Sequence, residues 1–444
     1  MRRRRFGKAI RLEIQRQMEP EFLDLLLSQL ELDHDHSYVT AAPLGLGSLW
    51  ELHGLDRPDL KGDTWSPTTP PRLAGNHGVL DLFSVIREGD VLLHHPYESF
   101  SDSVEAFIDQ AADDPHVLAI KQTLYRTSGD SPIVEALIRA AGTGKQVAAL
   151  VELQARFDEA ANIEWARRLE DAGVHVVYGI MGLKTHSKIA LVLRREGDAM
   201  RRYAHVGTGN YNSKTARIYE DFSLLTCDEG VTNDVAHLFN FLTGFSKHQP
   251  YNVIVVSPVA ARSRIIAYVE AEAAKGVSGR IAMKVNGLTD PTVIDALYRA
   301  SQAGASVQLV VRTLCCLRPG VEGLSEHVSV KSVVGEFLEH SRIFRFGEGA
   351  DATILIGSAD LMERNLDRRI EVLVPLRDGR IRQSVSESLD LTLRDDVSSW
   401  SLGTDRRWRR IANLENVSVQ ARLKEWALRR SRPQAEFDAS APTS

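Results

Sequence analysis

Residues 133–141 read Ile-Val-Glu-Ala-Leu-Ile-Arg-Ala-Ala, and residues 293–301 read Val-Ile-Asp-Ala-Leu-Tyr-Arg-Ala-Ser. Apolar residues recur in both stretches every three or four positions, as on the inner face of an amphipathic helix. A glycine and a valine follow each stretch at the same spacing, so the two copies lie at a constant offset of 160 residues. A repeat of this length indicates a duplicated domain rather than a solenoid of short units.

The residues around the first copy alternate between strand and helix patterns. Residues 117–124 and 146–153 are apolar runs typical of buried strands. Between them, Ser131 is an expected N-cap with a proline at the first helical turn. A second helix is predicted from about Glu159 to the residues before Gly173. This alternation predicts an α/β fold.

Each copy ends in a histidine that has a cation two residues later. His186 and Lys188 begin an apolar strand in the first copy, and His340 and Arg342 do so in the second. Side chains two residues apart on a strand share a face, so each imidazole has a cation beside it. Two such copies packed face to face would bring the histidines together. An imidazole beside a cation suits a phosphate, because the ring attacks phosphorus or moves a proton while the cation neutralises the oxyanion.

A glycine-containing stretch follows each pair, Gly207-Thr-Gly-Asn210 in the first copy and Gly357-Ser-Ala-Asp360 in the second. We expect the backbone N–H groups of the first stretch and the Asn210 amide to contact the same anion. Residues 184–217 hold eight Lys or Arg and two Asp or Glu, in a chain whose net charge is -5. This local excess predicts a cationic cradle for an anion.

Length and pattern predict the domain organisation of the 444 residues. Residues 1–85 carry one amphipathic helix and a Pro/Thr-rich linker, and are too short to form a stable domain alone. We expect the first repeat over residues 86–258, the second over residues 259–430, and a disordered tail over residues 431–444.

Composition excludes several classes of protein. The slight acidic excess argues against sequence-independent coating of nucleic acid, so no nucleic-acid partner is expected. The three cysteines are too few for a disulfide framework, and no apolar run is long enough to span a membrane. The basic start lacks the apolar core of a signal peptide, so a cytoplasmic protein is expected.

Eight motifs between His94 and Arg369 follow one another along the chain, within a resemblance that covers about residues 5–430. They are His94-His-Pro-Tyr-Glu-Ser-Phe, Ile120-Lys-Gln-Thr-Leu-Tyr-Arg-Thr, Val151-Glu-Leu-Gln-Ala-Arg-Phe-Asp-Glu, Gly182-Leu-Lys-Thr-His-Ser-Lys, His205-Val-Gly-Thr-Gly-Asn-Tyr-Asn, Cys316-Leu-Arg-Pro-Gly, Phe337-Leu-Glu-His-Ser-Arg-Ile-Phe and Arg364-Asn-Leu-Asp-Arg-Arg. In these motifs the sequence resembles the long-chain polyphosphate kinase family. The resemblance implies two tandem phospholipase D-like α/β domains, preceded by part of a head domain inside which Met1 falls, so that an N-terminal domain is missing.

The resemblance also implies roles for individual residues. The family's phosphorylated histidine matches His186, and its second catalytic histidine, which also contacts nucleotide phosphates, matches His340. Tyr219 and Arg312 match ATP-contacting positions. The family's magnesium-associated arginines match a further pair, Arg126 and Arg156. Arginine has no lone pair to offer a metal, so we expect Mg²⁺ near this pair to be held by the phosphates that the arginines bind.

The activity that the resemblance implies is a reversible transfer of the γ-phosphate of ATP to polyphosphate through phosphorylated His186, with Mg²⁺, and with ATP, ADP and polyphosphate as the partners. A homo-oligomer is expected, weakened by the missing N-terminal region. Two alternatives stay open. One is a phosphodiesterase of phospholipase D type, although Leu193 and Gly347 stand where that motif has an Asp. The other is an inactive polyphosphate-binding remnant.

Overall fold

The computed structural model describes residues 7–41, 43–74, 80–125, 131–152, 159–246 and 250–431. The chain divides into two compact units, Met1–Trp65 and Ser66–Ser444. The expected boundary near residue 258 stays a prediction, because both repeats lie within the second unit.

The first unit contains a two-stranded parallel sheet and two helices. Its elements are β1 (Leu12–Gln15), α1 (Pro20–Leu30), β2 (Ser37–Thr40) and α2 (Leu49–His53). Ile14 and Leu27 are its buried apolar side chains among the described residues, whereas Trp50 is 74% exposed. The unit therefore has a small core, as its length predicts.

The first repeat forms an eight-stranded mixed sheet with flanking helices. Its elements are α3 (Leu82–Glu88), β3 (Val91–His95), α4 (Ala106–Asp113), β4 (Val117–Leu124), α5 (Pro132–Gly142), β5 (Gln146–Val151), α6 (Glu159–Asp171), β6 (His175–Val177), β7 (Lys184–Thr185), β8 (Lys188–Glu196), β9 (Ala199–Gly207), β10 (Tyr219–Thr226) and α7 (Glu229–Leu242). The strands of the sheet are ordered β15-β10-β9-β8-β4-β5-β6, where β15 is Leu338–Glu339, and β3 pairs with β10. Strand β15 comes from the second repeat, so the sheet crosses the boundary between the repeats.

The second repeat forms a nine-stranded sheet with the order β11-β19-β17-β16-β12-β13-β14-β20-β21. Its elements are β11 (Val255–Val256), α8 (Ala261–Ala273), β12 (Arg280–Leu288), α9 (Pro291–Gln302), β13 (Ser306–Cys315), β14 (Val328–Val333), β15 (Leu338–Glu339), β16 (Ile343–Phe346), β17 (Thr353–Gly357), α10 (Glu363–Asp367), β18 (Arg369–Ile370), β19 (Val372–Pro375), α11 (Gly379–Arg394), β20 (Ser399–Leu402), β21 (Trp408–Arg410) and α12 (Val419–Ser431). Strand β18 is not part of this sheet; it pairs with β7 in a separate two-stranded sheet. No helix in the described part of the chain is long and apolar enough to cross a bilayer.

The repeated stretches form helices α5 and α9 at equivalent places in the two sheets. The Ser131 hydroxyl accepts a hydrogen bond from the Val134 N–H, and the Asp290 carboxylate accepts one from the Val293 N–H. Each helix follows a strand and precedes another that runs parallel to the first, β4 to β5 and β12 to β13. The predicted α/β duplication is therefore confirmed.

The two repeats share a core. Each sheet buries apolar side chains against its own helices, and a third cluster of buried side chains combines residues of both repeats, among them Val206 and Phe222 with Ile356 and Val372. Burial of this shared apolar surface holds the repeats together. The histidine-bearing segments are consequently fixed relative to each other.

One row of the core differs between the repeats. Gln122, Ala190 and His205 lie side by side on β4, β8 and β9. The equivalent row on β12, β16 and β17 consists of apolar residues, Met283, Phe344 and Leu355. His205 Nδ1 lies 2.6 Å from the Tyr211 hydroxyl, and burial lowers the pKa of His205 to about 3. The ring is therefore neutral in the folded chain at pH 7.

His205→Leu installs the residue that the second repeat carries at this place. The unfolded chain protonates His205 below about pH 6.5, whereas the folded chain does not, so the wild type loses stability as the pH falls towards 3. The variant has no histidine at this position, so its free energy of unfolding does not include this pH-dependent loss. Relative to the wild type, its free energy of unfolding should increase by about 2 kcal/mol between pH 7 and pH 5. Urea unfolding of both proteins at the two pH values measures this difference, and a pH-independent difference would contradict the assignment.

Candidate active site

A short parallel pairing between the repeats positions His186. Thr185 on β7 lies opposite Ile370 on β18, and the N–H groups of His186 and Ser187 both donate to the Ile370 carbonyl, at 3.0 and 2.9 Å. The backbone on either side of His186 is thereby fixed by the second repeat. A ladder of only two residue pairs can hold the His186 segment in place, because the flanking chain is packed in the shared core.

The same arrangement recurs around His340 with the repeats exchanged. Glu339 on β15 lies opposite Glu220 on β10, and the N–H groups of His340 and Ser341 donate to the Glu220 carbonyl at 3.1 and 2.8 Å. The two sites are thus related by a pseudo-twofold exchange of the repeats. Each histidine segment is held by the opposite repeat.

Each imidazole contacts a carboxylate that the other repeat supplies. His186 Nδ1 lies 2.9 Å from Glu371 Oε2, and His340 Nδ1 lies 2.8 Å from both carboxylate oxygens of Asp221. A carboxylate accepts a hydrogen bond from Nδ1–H, so it fixes the ring orientation and the tautomer. In His186, Nε2 is then the nitrogen left for a reacting group, whereas His340 Nε2 lies 3.3 Å from Arg342 Nη1.

The electrostatic surroundings keep His186 neutral. Burial lowers its pKa well below 6.5, and the cations Lys188, Arg369 and Arg342 lower it further. Glu371, its acceptor, has a pKa raised by burial, and Lys188 and Arg369 oppose this rise. These cations come from both repeats. A neutral imidazole keeps its lone pair available for attack on phosphorus.

His340 is neutral as well, for a related reason. Burial is the main cause that lowers its pKa to about 4, and Asp221 partly opposes this. Burial would raise the pKa of Asp221, but His340, Thr208 and Arg342 together hold it below the usual value. The Asp221 carboxylate therefore stays charged and stabilises any proton that reaches the ring.

The cations beside the two histidines differ in their partners. Arg342 is paired with Asp360, 3.1 Å from Nη2 to Oδ2. Lys188 donates to the His186 carbonyl, and no carboxylate of the described residues lies within salt-bridge distance of its ammonium. The residue equivalent to Asp360 in the first repeat is Asn210, whose buried Oδ1 has no hydrogen-bond partner among the described residues. Burial lowers the pKa of Lys188 well below its ordinary value, so an anion bound beside it would stabilise its charged form.

Two residues that match ATP-contacting positions of the family, Tyr219 and Arg312, lie around His340. The Tyr219 ring centroid is 5.1 Å from the imidazole centroid, and Arg312 Nη1 donates to the Glu339 carbonyl at 3.0 Å. Arg312 Nε is buried with no partner among the described residues. The structure therefore groups Tyr219, Arg312 and Arg342 with His340. Arg126 and Arg156 lie outside the described residues.

The predicted cationic cradle over residues 184–217 is wrong for its arginine-rich part. Arg194 and Arg201 lie on the distal part of the β8–β9 hairpin, where Glu196 accepts hydrogen bonds from both at 3.1 and 2.9 Å. Arg194 also pairs with Asp114 at 2.8 Å. A strand advances about 3.3 Å per residue, so these groups lie far from His186. A count of charges along the sequence groups these arginines with Lys188, although the length of the hairpin separates them in space.

The described residues do not fit a resident magnesium ion. They contain no group of three or more His, Cys, Asp or Glu side chains that could hold a metal. The carboxylates nearest the histidines are already occupied, Asp221 by His340, Glu371 by His186 and Asn365, and Asp360 by Arg342. No step is therefore assigned to a protein-bound metal.

The sequence contains a signal for the two carboxylates in the spacing of the repeats. Asp221 follows Asn210 by eleven residues, and Glu371 follows Asp360 by the same number. Extending the repeat alignment past the glycine-containing stretches would have paired these acids. Their crossing to the opposite histidine required the three-dimensional packing.

The fold is thus an α/β duplication in which each strand-borne histidine has a cation on its own strand and a carboxylate from the opposite repeat. The solved phosphatidylserine synthase of Haemophilus influenzae shares this fold, with a TM-score of 0.51 at 10% identity over 79% of this chain and 94% of that one. At this identity the likeness concerns the fold alone.

Three family descriptions match the chain: "Polyphosphate kinase middle domain" at residues 1–52, "Polyphosphate kinase C-terminal domain 1" at residues 81–248 and "Polyphosphate kinase C-terminal domain 2" at residues 254–422. The chain belongs to the polyphosphate kinase family.

Individual relatives agree with this membership. The chain is 49% identical to a polyphosphate kinase of Streptomyces coelicolor over 95% of this chain and 58% of that one, and 54% identical to one of Mycobacterium tuberculosis over 91% and 55%. The crystal structure of polyphosphate kinase from Porphyromonas gingivalis matches with a TM-score of 0.80 at 32% identity, covering 95% of this chain and 65% of that one. The chain thus spans little more than half the length of the two curated relatives.

Asn210→Asp places a carboxylate at the position equivalent to Asp360, the partner of Arg342 in the second repeat. The nearly isosteric change should preserve the fold but reduce the attraction for anions, raising the Kd of tripolyphosphate by about tenfold or more. Isothermal titration calorimetry measures this constant. Asn212→Asp is the control, because its side-chain oxygen already accepts from the Lys214 and Thr215 N–H groups. Equal Kd values for wild type and Asn210→Asp would contradict an anion site at Lys188.

Proposed function

We propose that this chain transfers the γ-phosphoryl group of ATP to the end of a polyphosphate chain, and back, through phosphorylated His186. The observation that carries the proposal is the environment of that ring. The ring is neutral, its Nδ1 contacts Glu371, and Lys188, which has no carboxylate partner among the described residues, lies two residues away. Family membership supports the substrate class, since the relatives are named polyphosphate kinases.

In the first step, His186 Nε2 attacks the γ-phosphorus, an N–P bond forms, and the bond from phosphorus to the β–γ bridging oxygen breaks, so that ADP leaves. Lys188 and Arg342 offset the negative charge on the transferring group. In the second step, a terminal phosphate oxygen of polyphosphate attacks the same phosphorus and the N–P bond breaks. Phosphohistidine and phosphoanhydride are both high-energy linkages, so the transfer is reversible.

The asymmetry of the cations favours His186 over His340 as the nucleophile. Arg342 is already neutralised by Asp360, whereas Lys188 has no such partner among the described residues. The incoming phosphoryl group is therefore attracted more strongly to the His186 side. His340, with Tyr219 and Arg312 beside it, binds the nucleotide phosphates and exchanges a proton with the leaving oxygen, while Asp221 stabilises the imidazolium.

The proposal includes Mg²⁺ as part of the nucleotide substrate, bound to phosphate oxygens. Arg126 and Arg156 remain phosphate-binding candidates in this scheme. We place the reaction in the cytoplasm and propose a homo-oligomer. A phosphodiesterase and an inactive polyphosphate-binding protein are the competing outcomes of the test below.

Incubation with γ-³²P-labelled ATP and Mg²⁺ should produce an acid-labile, base-stable label on the chain, because phosphohistidine has this stability. His186→Ala should abolish the label, since it removes the nucleophile. His340→Ala should retain some label but slow transfer to polyphosphate. His116→Ala, which changes an exposed histidine, is the control for the labelling.

Four results would count against the proposal or part of it. A label that survives His186→Ala moves the nucleophile elsewhere. Polyphosphate binding without any label supports the inactive alternative. Cleavage of a model phosphodiester without ATP supports the phosphodiesterase. Normal turnover by His340→Ala would remove that residue from the mechanism.

A further inference from the structure

A buried ionic cluster lies behind His340. The Lys284 ammonium, on β12, is 2.5 Å from Glu220 Oε2 and 2.5 Å from Glu339 Oε2, and it donates to the Ser341 hydroxyl at 3.0 Å. These three partners use all three ammonium protons. The side chains of Lys284, Glu220 and Glu339 are each at most 4% exposed.

The cluster joins the two strands that bring Asp221 to His340. Glu220 immediately precedes Asp221, Glu339 immediately precedes His340, and the two glutamates are direct partners in the β10–β15 ladder. Like charges opposite each other in a ladder repel. Lys284 binds both, and so converts a repulsive pair into an attractive bridge between the repeats.

The outer oxygens of both glutamates are also held. His94 Nε2 lies 2.6 Å from Glu220 Oε1, and the His94 ring stacks on Phe222 with centroids 4.0 Å apart. On the other side, the Gln420 amide, on α12, donates to Glu339 Oε1 at 2.8 Å. The bridge therefore connects β3 with the last described helix through Lys284.

At the His186 site, Thr185 and Ile370 take the places of Glu339 and Glu220 in the ladder. The other pair of that ladder is Lys184 opposite Arg369, so its strands pair without opposed glutamates. Thr123 occupies the position equivalent to Lys284. The Thr123 hydroxyl donates to the Ser187 carbonyl at 2.9 Å. The ionic cluster is therefore a specific addition to the His340 side rather than a requirement of the fold.

We propose that Lys284 is a positioning residue for His340. By neutralising Glu220 and Glu339 it keeps β15 on β10, and this register places His340 Nδ1 against Asp221. Without the ammonium, two buried carboxylates face each other and the ladder separates, so His340 loses its orienting partner. The kinetic consequence rests on the proposed function, because it assigns His340 to the transfer step.

The test compares three full-length variants. Lys284→Met removes the bridge. Lys284→Met/Glu339→Gln removes one charge of each sign, so it restores the charge balance of the cluster. Lys331→Met is the matched control, because Lys331 is a half-buried lysine of the same sheet whose ammonium donates to the Leu393 and Asp395 carbonyls. The structural readout is the downfield NMR signal of the His340 Nδ1 proton, assigned by its loss in His340→Gln.

We expect Lys284→Met to lose this signal and to transfer phosphate to polyphosphate about 100-fold more slowly, with a smaller change in labelling of His186. The double variant should regain the signal and most of the rate, and Lys331→Met should keep both. If Lys284→Met does not fold, the presence or absence of the His340 signal in the double variant decides the role of Lys284.

The proposal is overturned if Lys284→Met keeps the His340 signal, or if the double variant folds without it. A wild-type chain that acquires no label from ATP would refute the proposed function alone. The NMR comparison would still decide the role of Lys284.

Discussion

The site depends on hydrogen bonds that cross between the two repeats. A buried imidazole needs a partner for its Nδ1 proton, and in both halves that partner comes from the opposite half, Glu371 for His186 and Asp221 for His340. Neither repeat alone contains a complete pair. The shared apolar core and the two short parallel ladders are therefore what makes the site, since they hold the carboxylates at hydrogen-bonding distance.

Duplication followed by divergence explains why two similar histidines have different surroundings. Beside His186 the cation has no partner among the described carboxylates, and the ladder behind it pairs Thr185 with Ile370 and Lys184 with Arg369. Beside His340 the cation is paired with Asp360 and the ladder is ionic, with Lys284 at its centre. In the proposed mechanism the first arrangement attracts the phosphoryl group, and the second holds the His340 ring in place. These differences support a nucleophile on one side and a phosphate-binding, proton-exchanging group on the other.

The sequence predicts the duplication and the histidine–cation pairs because these depend on local periodicity and on the two-residue spacing of strands. It does not predict which carboxylate faces which histidine, because Asp221 and Glu371 reach their partners only through packing between the repeats. It also misplaces Arg194 and Arg201, since a count of charges along the chain ignores the length of a hairpin. The role of Lys284 depends on contacts among β10, β12 and β15, which no linear spacing reveals.

A crystal structure of the chain with bound tungstate, a phosphate analogue, tests most directly whether the two halves form a single site. One tungstate ion should lie between the Nε2 atoms of His186 and His340, in contact with Lys188 and Arg342. Two separate ions, one at each histidine with no shared contact, would contradict the account.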